Sequence, residues 1–274
     1  MMDWVQLWRE LAEVHMQMGR KTKAEQAEDA WRDKARSFDQ NTKRRWAKPD
    51  SSRDFLLSRV EACPGSTVLD IGAGTGAWTV LLARHVRHVT AVEPSLAMIE
   101  VLRENLAAEG LSNVDIVQGH WPEVRVEPHD FSLCAHAMYG CADLPGFVQA
   151  MQAATRRTCC LVLRAPLTDS LMARASMHVW GHPYDSTNFQ VAYNVLLQIG
   201  LFPNVLMENT GLWDPWVNAS LEEALGDIKR RFGLQDSHEH DVFLLDLLHR
   251  ELISQDGQYV WPRGVRSALA YWDI

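Results

Sequence analysis

An α/β fold built on a doubly wound, mostly parallel sheet is predicted from three features of the chain. Short runs of β-branched and aliphatic residues alternate with helical stretches of about 10–15 residues between Thr67 and Leu163. The first such run empties into Gly72, Gly74 and Gly76, three glycines at alternate positions, and a helix follows directly. An acid, Glu93, closes the second run. Strands separated by helices are joined by crossover connections, which are right-handed and lay successive strands side by side in parallel.

Residues 1–60 read as helices. Trp4, Trp8, Leu11 and Ala12 recur at helical spacing, as do Ala27, Trp31, Ala35 and Phe38. A further helix is expected from Ser51, with Ser51 and Asp54 at the spacing of a cap. Pro64-Gly65 then marks a turn, and the hydrophobic period changes. Strands are predicted at Thr67–Ile71, His88–Val92, Val114–Gln118, Phe131–Ala135 and Cys159–Leu163, with helices at Ala77–Arg84, Ser95–Glu109 and Leu144–Thr155 between them. Gly110 stops the second of these helices. Beyond Arg164 the pattern loosens. Helices are expected at Phe189–Ile199, Leu221–Phe232 and Val242–Ile253, a strand at Asn204–Glu208, and a closing pair of strands at Tyr259–Trp261 and Ser267–Trp272.

Composition narrows the function. A chain of 274 residues, 47% hydrophobic and 23% charged, can bury a core without disulfides. Its net charge of -8 gives a field that weakly repels phosphate, which argues against nucleic acid as the partner. The five cysteines lack metal-site spacing and read as reduced thiols, as expected of a cytoplasmic protein. No run approaches the ~20 apolar residues of a membrane span, and the opening residues lack the apolar run of a signal peptide.

The chemistry is concentrated in Val68-Leu69-Asp70-Ile71-Gly72-Ala73-Gly74-Thr75-Gly76. A strand ending there reaches the carboxyl edge of the sheet, where α/β folds bind ligands. Glycines permit a tight turn and close approach of a ligand, and the next helix presents unpaired N–H groups to a carboxylate. The dinucleotide fingerprint G-x-G-x-x-G needs glycine where Ala77 stands, and a phosphate loop needs a Gly-Lys-Ser/Thr run that is absent. Glu93, 17 residues beyond Gly76, can accept both hydroxyls of a ribose through its two oxygens.

With Asp70 before G-x-G-x-G, the loop resembles motif I of the class I S-adenosylmethionine (SAM) dependent methyltransferases. Three further segments strengthen the resemblance: Val92-Glu93-Pro94-Ser95-Leu96-Ala97-Met98, Asp115-Ile116-Val117-Gln118-Gly119-His120-Trp121, and Asp130 to Tyr139 with Ala135-His136-Ala137-Met138-Tyr139 at its end. The resemblance spans about residues 60–165 and points to the small-molecule branch of the family. It implies a seven-stranded sheet, SAM as cofactor and S-adenosylhomocysteine as product. It further implies that Asp70, Gly72, Ala73, Gly74, Thr75 and Gly76 hold the methionine portion and that Glu93 and Pro94 hold the ribose. Met98 or Leu96 would pack on the adenine, with Gly119, His120 and Trp121 around its edge. Ala135 and His136 would lie beside the sulfonium. His120 stands where an acid is common, which puts the usual bond to the adenine amino group in doubt. The Asn/Asp-Pro-Pro-Tyr/Phe motif of nucleic-acid amine methyltransferases is absent.

The resemblance divides the chain into a helical cap (1–60), a SAM-binding Rossmann-like core (61–165) and a remainder (166–274). The remainder completes the sheet and, through helical insertions, forms the pocket for a small-molecule acceptor. The N-terminal helices often cover the SAM pocket in this family, so Trp31 and Phe38 either face the cofactor or pack. His136 either acts as a general base or shapes the site, and Tyr139 either touches substrate or packs beneath the next helix. The pairs His178/His182 and His238/His240 fall short of a metal-site pattern, so no metal is expected. The basic cluster Lys43, Arg44, Arg45 and Lys48 reads chiefly as a solvated helix end.

Overall fold

A computed structural model describes residues 2–18, 29–208 and 213–274. Three helices come first, α1 (Trp4–Met18), α2 (Ala35–Trp46) and α3 (Ser51–Glu61). The alternating stretch follows as β1 (Thr67–Ile71), α4 (Ala77–Ala83), β2 (His88–Glu93), α5 (Leu96–Ala108), β3 (Val114–Gln118), β4 (His129–Ala135), α6 (Leu144–Ala153) and β5 (Thr155–Pro166). The remainder comprises α7 (Leu171–Trp180), α8 (Phe189–Gln198), β6 (Asn204–Met207), β7 (Val217–Asn218), α9 (Leu221–Phe232), α10 (Asp241–Glu251), β8 (Ile253–Gln255), β9 (Gln258–Val260) and β10 (Val265–Asp273).

Seven strands form the main sheet in the order β3-β2-β1-β4-β5-β10-β6. β1 lies between two parallel neighbours and is buried along its whole length, which is why it reads as an unbroken aliphatic run around Asp70. One face is covered by a core that includes Trp8 and Leu11 of α1, Phe147 of α6 and Val195 of α8. Leu56 of α3 and Leu82 of α4 belong to the core on the other face. A third cluster joins α7, α9 and α10 around Trp261, away from the sheet.

The structure revises several expectations at the chain's two ends. Tyr259–Trp261 and Ser267–Trp272 do not pair with each other. β9 joins β7 and β8 in a small separate sheet, whereas β10 runs antiparallel between β5 and β6. Pro262 and Gly264 break the chain between them. Ala268, Leu269 and Ala270 are fully buried, as an interior strand requires, while β9 stays partly exposed. α3 is capped by Asp50 instead of by the Ser51/Asp54 pair. The Asp50 carboxylate accepts from the Ser52 and Arg53 N–H groups at 2.8 and 3.1 Å, and the Ser51 hydroxyl is spent on Glu208. Trp31 sits in a turn ahead of α2, and Ala27 lies outside the described residues. α10 ends at Glu251, so Ile253 opens β8. α7, which sequence periodicity did not reveal, begins at a Ser170 cap and ends at Gly181 in the left-handed region, so His182 lies off the helix that carries His178.

Candidate active site

The glycine loop joins the carboxyl end of β1 to α4. The Gly72 and Ala73 N–H groups both donate to the Val92 carbonyl of β2, at 2.8 and 3.0 Å, which pins the loop against the neighbouring strand. Gly72, Gly74 and Gly76 have φ of 72°, 57° and 87°, a region that side chains disfavour. Close approach has a different cause at each. A Cβ on Gly72 would meet Ala137 at 2.2 Å, and one on Gly76 would meet Leu102 at 2.1 Å. These two glycines therefore serve the protein's own packing and not, as expected, only a ligand. At Gly74 the nearest atom is a ring carbon of Phe38 at 3.8 Å, ordinary contact distance.

Asp70 is buried inside the sheet and accepts from the Thr79 hydroxyl at 2.6 Å. Burial raises its pKa to about 6, with the nearby Glu93 charge adding to the rise. Glu93 ends β2 and is also buried. Its two oxygens accept separately from the Gly74 and Ser95 N–H groups, at 2.8 and 2.9 Å. Burial nevertheless lifts its carboxyl above the usual range. Each of these oxygens keeps a second lone pair for another donor.

The start of α5 is held from the N-terminal segment. Asp29 accepts from the Ser95 hydroxyl at 2.8 Å and the Ala97 N–H at 2.9 Å, an acid placed where a helix N-terminus favours one. Ala35 of α2 packs with Met98 and Val101 of α5, and Phe38 joins them. Asn105 of α5 donates to Asp39 of α2 and to the Thr75 carbonyl, tying helix, helix and loop together. Residues 29–39 thus lie over the glycine loop and the Glu93 strand end. Met98 is buried among them, while Leu96 is exposed.

His120 is exposed after β3. Gly119 donates to the Glu93 carbonyl at 3.2 Å. The Trp121 indole is half-buried, with its N–H on the Phe147 carbonyl at 3.2 Å and its ring edge-on to Phe147. Pro94 is partly buried between Glu93 and the Ser95 cap of α5.

At the end of β4, Ala135 pairs with Val162 of β5, and His136 follows with φ 57°, donating its N–H to the Val162 carbonyl at 2.9 Å. The Tyr139 hydroxyl oxygen accepts from the Arg164 N–H at 2.7 Å and lies 2.8 Å from His136 Nδ1. The Tyr139 hydroxyl and His136 Nδ1 share one hydrogen bond, whose donor is set by the imidazole tautomer. Burial, with Arg45 and Arg164 nearby, lowers the His136 pKa to about 3, so the ring is neutral. Burial pushes the Tyr139 phenol up to about 12. His136, Trp78, Arg45 and Trp213 line a cleft of about 40 Å³. Trp213 also lines a larger cavity of about 390 Å³, bounded by the carboxyl end of β5, the start of α7 and the Pro262–Val265 stretch. Sequence reasoning missed this wall, including Arg164 and Trp213. The one signal for Arg164 was a cation ending the apolar run Cys159–Leu163.

Residues 68–158 match the family model described as a methyltransferase domain. The chain therefore carries a methyltransferase domain over residues 68–158. It is similar to a demethylmenaquinone methyltransferase of Bacillus cytotoxicus, 29% identical over 107 residues covering 38% of this chain and 45% of the relative. It is also similar to a protein of Methanosphaera stadtmanae described as ribosomal RNA small subunit methyltransferase A, 26% identical over 81 residues and 30% of each chain. The chain thus spans under half the length of these curated relatives. Among solved structures, magnesium protoporphyrin IX methyltransferase of Synechocystis, crystallised with S-adenosylhomocysteine, shares the fold at a TM-score of 0.50 and 15% identity, over 68% of this chain and 92% of that one. No described helix is long and apolar enough to cross a membrane.

Proposed function

We propose that this chain transfers the methyl group of SAM to a small-molecule acceptor held in the 390 Å³ cavity beyond β5. A recess of this size lies within the range of small-ligand sites. The carrying observation is its position: Trp213 forms part of its wall and packs edge-on against His136, at the carboxyl end of β4 beside the glycine loop. The residues on the cofactor side fit SAM. Glu93 is a buried acid, aligned by two backbone N–H groups and with lone pairs left for ribose hydroxyls. Gly74 leaves its side of the loop open to contact distance, and Asp70, buried beneath the loop, is fixed by the Thr79 hydroxyl. SAM, when bound, supplies a methyl group already activated as a sulfonium.

The protein's task is then alignment and exclusion of water, which can contribute ~7–11 kcal/mol to lowering a barrier. Phe38, Met98 and Asp29 close the cofactor side. His136 serves to position: its Nδ1 shares a hydrogen bond with the Tyr139 hydroxyl, and its low pKa makes it a weak base. An acceptor needing deprotonation at neutral pH must find its base elsewhere.

A ribosomal RNA acceptor, suggested by one relative's description, fits this chain less well. The overall charge is -8, and two of the cavity's four arginines, Arg174 and Arg231, are already bound to Glu251 and Asp185. Isothermal calorimetry with S-adenosylhomocysteine, followed by transfer of labelled methyl to a metabolite extract and to ribosomal RNA, tests the reading. Label in the metabolite fraction is expected. Label confined to RNA would overturn the acceptor class, and absence of binding would overturn the whole proposal.

A further inference from the structure

Arg164 stands at the carboxyl end of β5, on the wall of the larger cavity. Its guanidinium lies over the Tyr139 ring, 4.2 Å from the centroid, which fixes the plane of the group. Nε and Nη2 are shut off from solvent and have no hydrogen-bond partner among the described residues. These two nitrogens form one side of the guanidinium, with two parallel N–H groups spaced to meet two oxygens of one anion. Buried donors are ordinarily satisfied, and an idle charged pair is a strong exception.

Of the wall's other cations, Arg263 is exposed to solvent and two are committed. Arg174 pairs with Glu251 at 2.7 Å and Arg231 with Asp185 at 2.6 Å. Asp214, an acid of the wall, is paired outward with Lys48 at 2.9 Å. The unanswered charge in the interior of this wall is therefore positive and belongs to Arg164. Around it stand Trp213, Trp216 and Trp261, flat apolar surfaces suited to a ring or a hydrocarbon. Tyr139 connects the two sites, carrying the Arg164 guanidinium on its face and the His136 hydrogen bond on its hydroxyl.

We propose that the methyl acceptor is a small, partly apolar carboxylate, docked through its two oxygens on the guanidinium of Arg164 with its apolar body against the tryptophans. This rests on the reading of the cavity as the acceptor site. In this role Arg164 binds and orients the acceptor, and the planar fork selects a flat two-oxygen anion over an amide of the same shape.

The test uses the full chain loaded with S-adenosylhomocysteine, whose uptake is measured first by calorimetry. Binding of indole-3-acetate and indole-3-acetamide, benzoate and benzamide, and phenylphosphonate is then measured by saturation-transfer NMR and titration. The acids are expected to bind roughly 10- to 100-fold tighter than the matching amides. Arg164→Gln should abolish that preference, and Arg164→Lys should restore only part of it, with S-adenosylhomocysteine uptake unchanged in both. If the wild-type protein takes up no S-adenosylhomocysteine, the cofactor reading fails. If it does, but acids and amides bind alike, or no acid binds, or the preference survives Arg164→Gln, the carboxylate proposal fails alone. Phenylphosphonate favoured over benzoate would reassign the anchor to a phosphate-type anion. The wild-type acid–amide contrast decides the matter even if a variant misfolds.

Discussion

At the glycine loop the acids are answered from within the chain, Asp70 by the Thr79 hydroxyl and Glu93 by the Gly74 and Ser95 N–H groups. On the wall of the cavity beyond β5, two buried nitrogens of the half-buried Arg164 have no hydrogen-bond partner among the described residues. The first region is shaped ahead of any ligand, its backbone and acids holding each other in place. The second leaves one charge for an outside partner. The contrast suits the two ligands proposed: an invariant cofactor gripped by a rigid frame, and an acceptor selected by a single idle group. It also separates two kinds of glycine, since Gly72 and Gly76 are required by the neighbours Ala137 and Leu102, whereas Gly74 has room.

The heaviest blow to the first region is expected from Glu93→Ala. It removes the ribose acceptor and orphans two buried N–H groups, and S-adenosylhomocysteine affinity should fall roughly 10²–10⁴-fold by calorimetry. Unchanged affinity would dissolve the distinction between the regions.

Glycine substitutions probe stability next. Gly76→Ala meets both a left-handed φ and the Leu102 side chain, and a loss of about 2–5 kcal/mol is expected in urea unfolding. Gly74→Ala meets the φ penalty with Phe38 at 3.8 Å, so about 1–2 kcal/mol is expected. Equal losses at the two positions would refute the division.

Asp70→Asn should go the other way. A carboxyl whose folded pKa is raised to about 6 lends stability that is complete below its ordinary value of 3.8 and is lost as pH climbs through about 6. At neutral pH the ionised form therefore costs roughly 1–3 kcal/mol, which the amide avoids. The variant should be more stable than the parent at pH 7, by a margin that shrinks toward pH 4, while binding SAM more weakly. A margin independent of pH would show that Asp70 ionises freely in the folded chain.

The smallest expected effect is an absence. With the His136 pKa lowered to about 3, the kcat profile should show no break between pH 6 and 8 that is removed by His136→Asn. The depressed pKa also makes the ring a source of acid sensitivity. The stability it lends is present above its ordinary 6.5 and is lost as pH falls toward about 3.

The sequence by itself determined the parallel half of the sheet and the strand ends that matter. Alternating strand and helix patterns, the Gly72–Gly76 turn and the acid at Glu93 are local, because backbone preference and hydrophobic period are written within a few neighbouring residues. Tertiary structure alone decided where β10 inserts, that Asp29 and Phe38 of the N-terminal segment reach Glu93's side of the sheet, and that Arg164, an ordinary cation at the end of an apolar run, lines a cavity with two guanidinium nitrogens unpartnered among the described residues. Those facts depend on pairings between residues a hundred or so positions apart in the chain, as in the register of Arg164 with Ser267, and local pattern carries no record of such a partner.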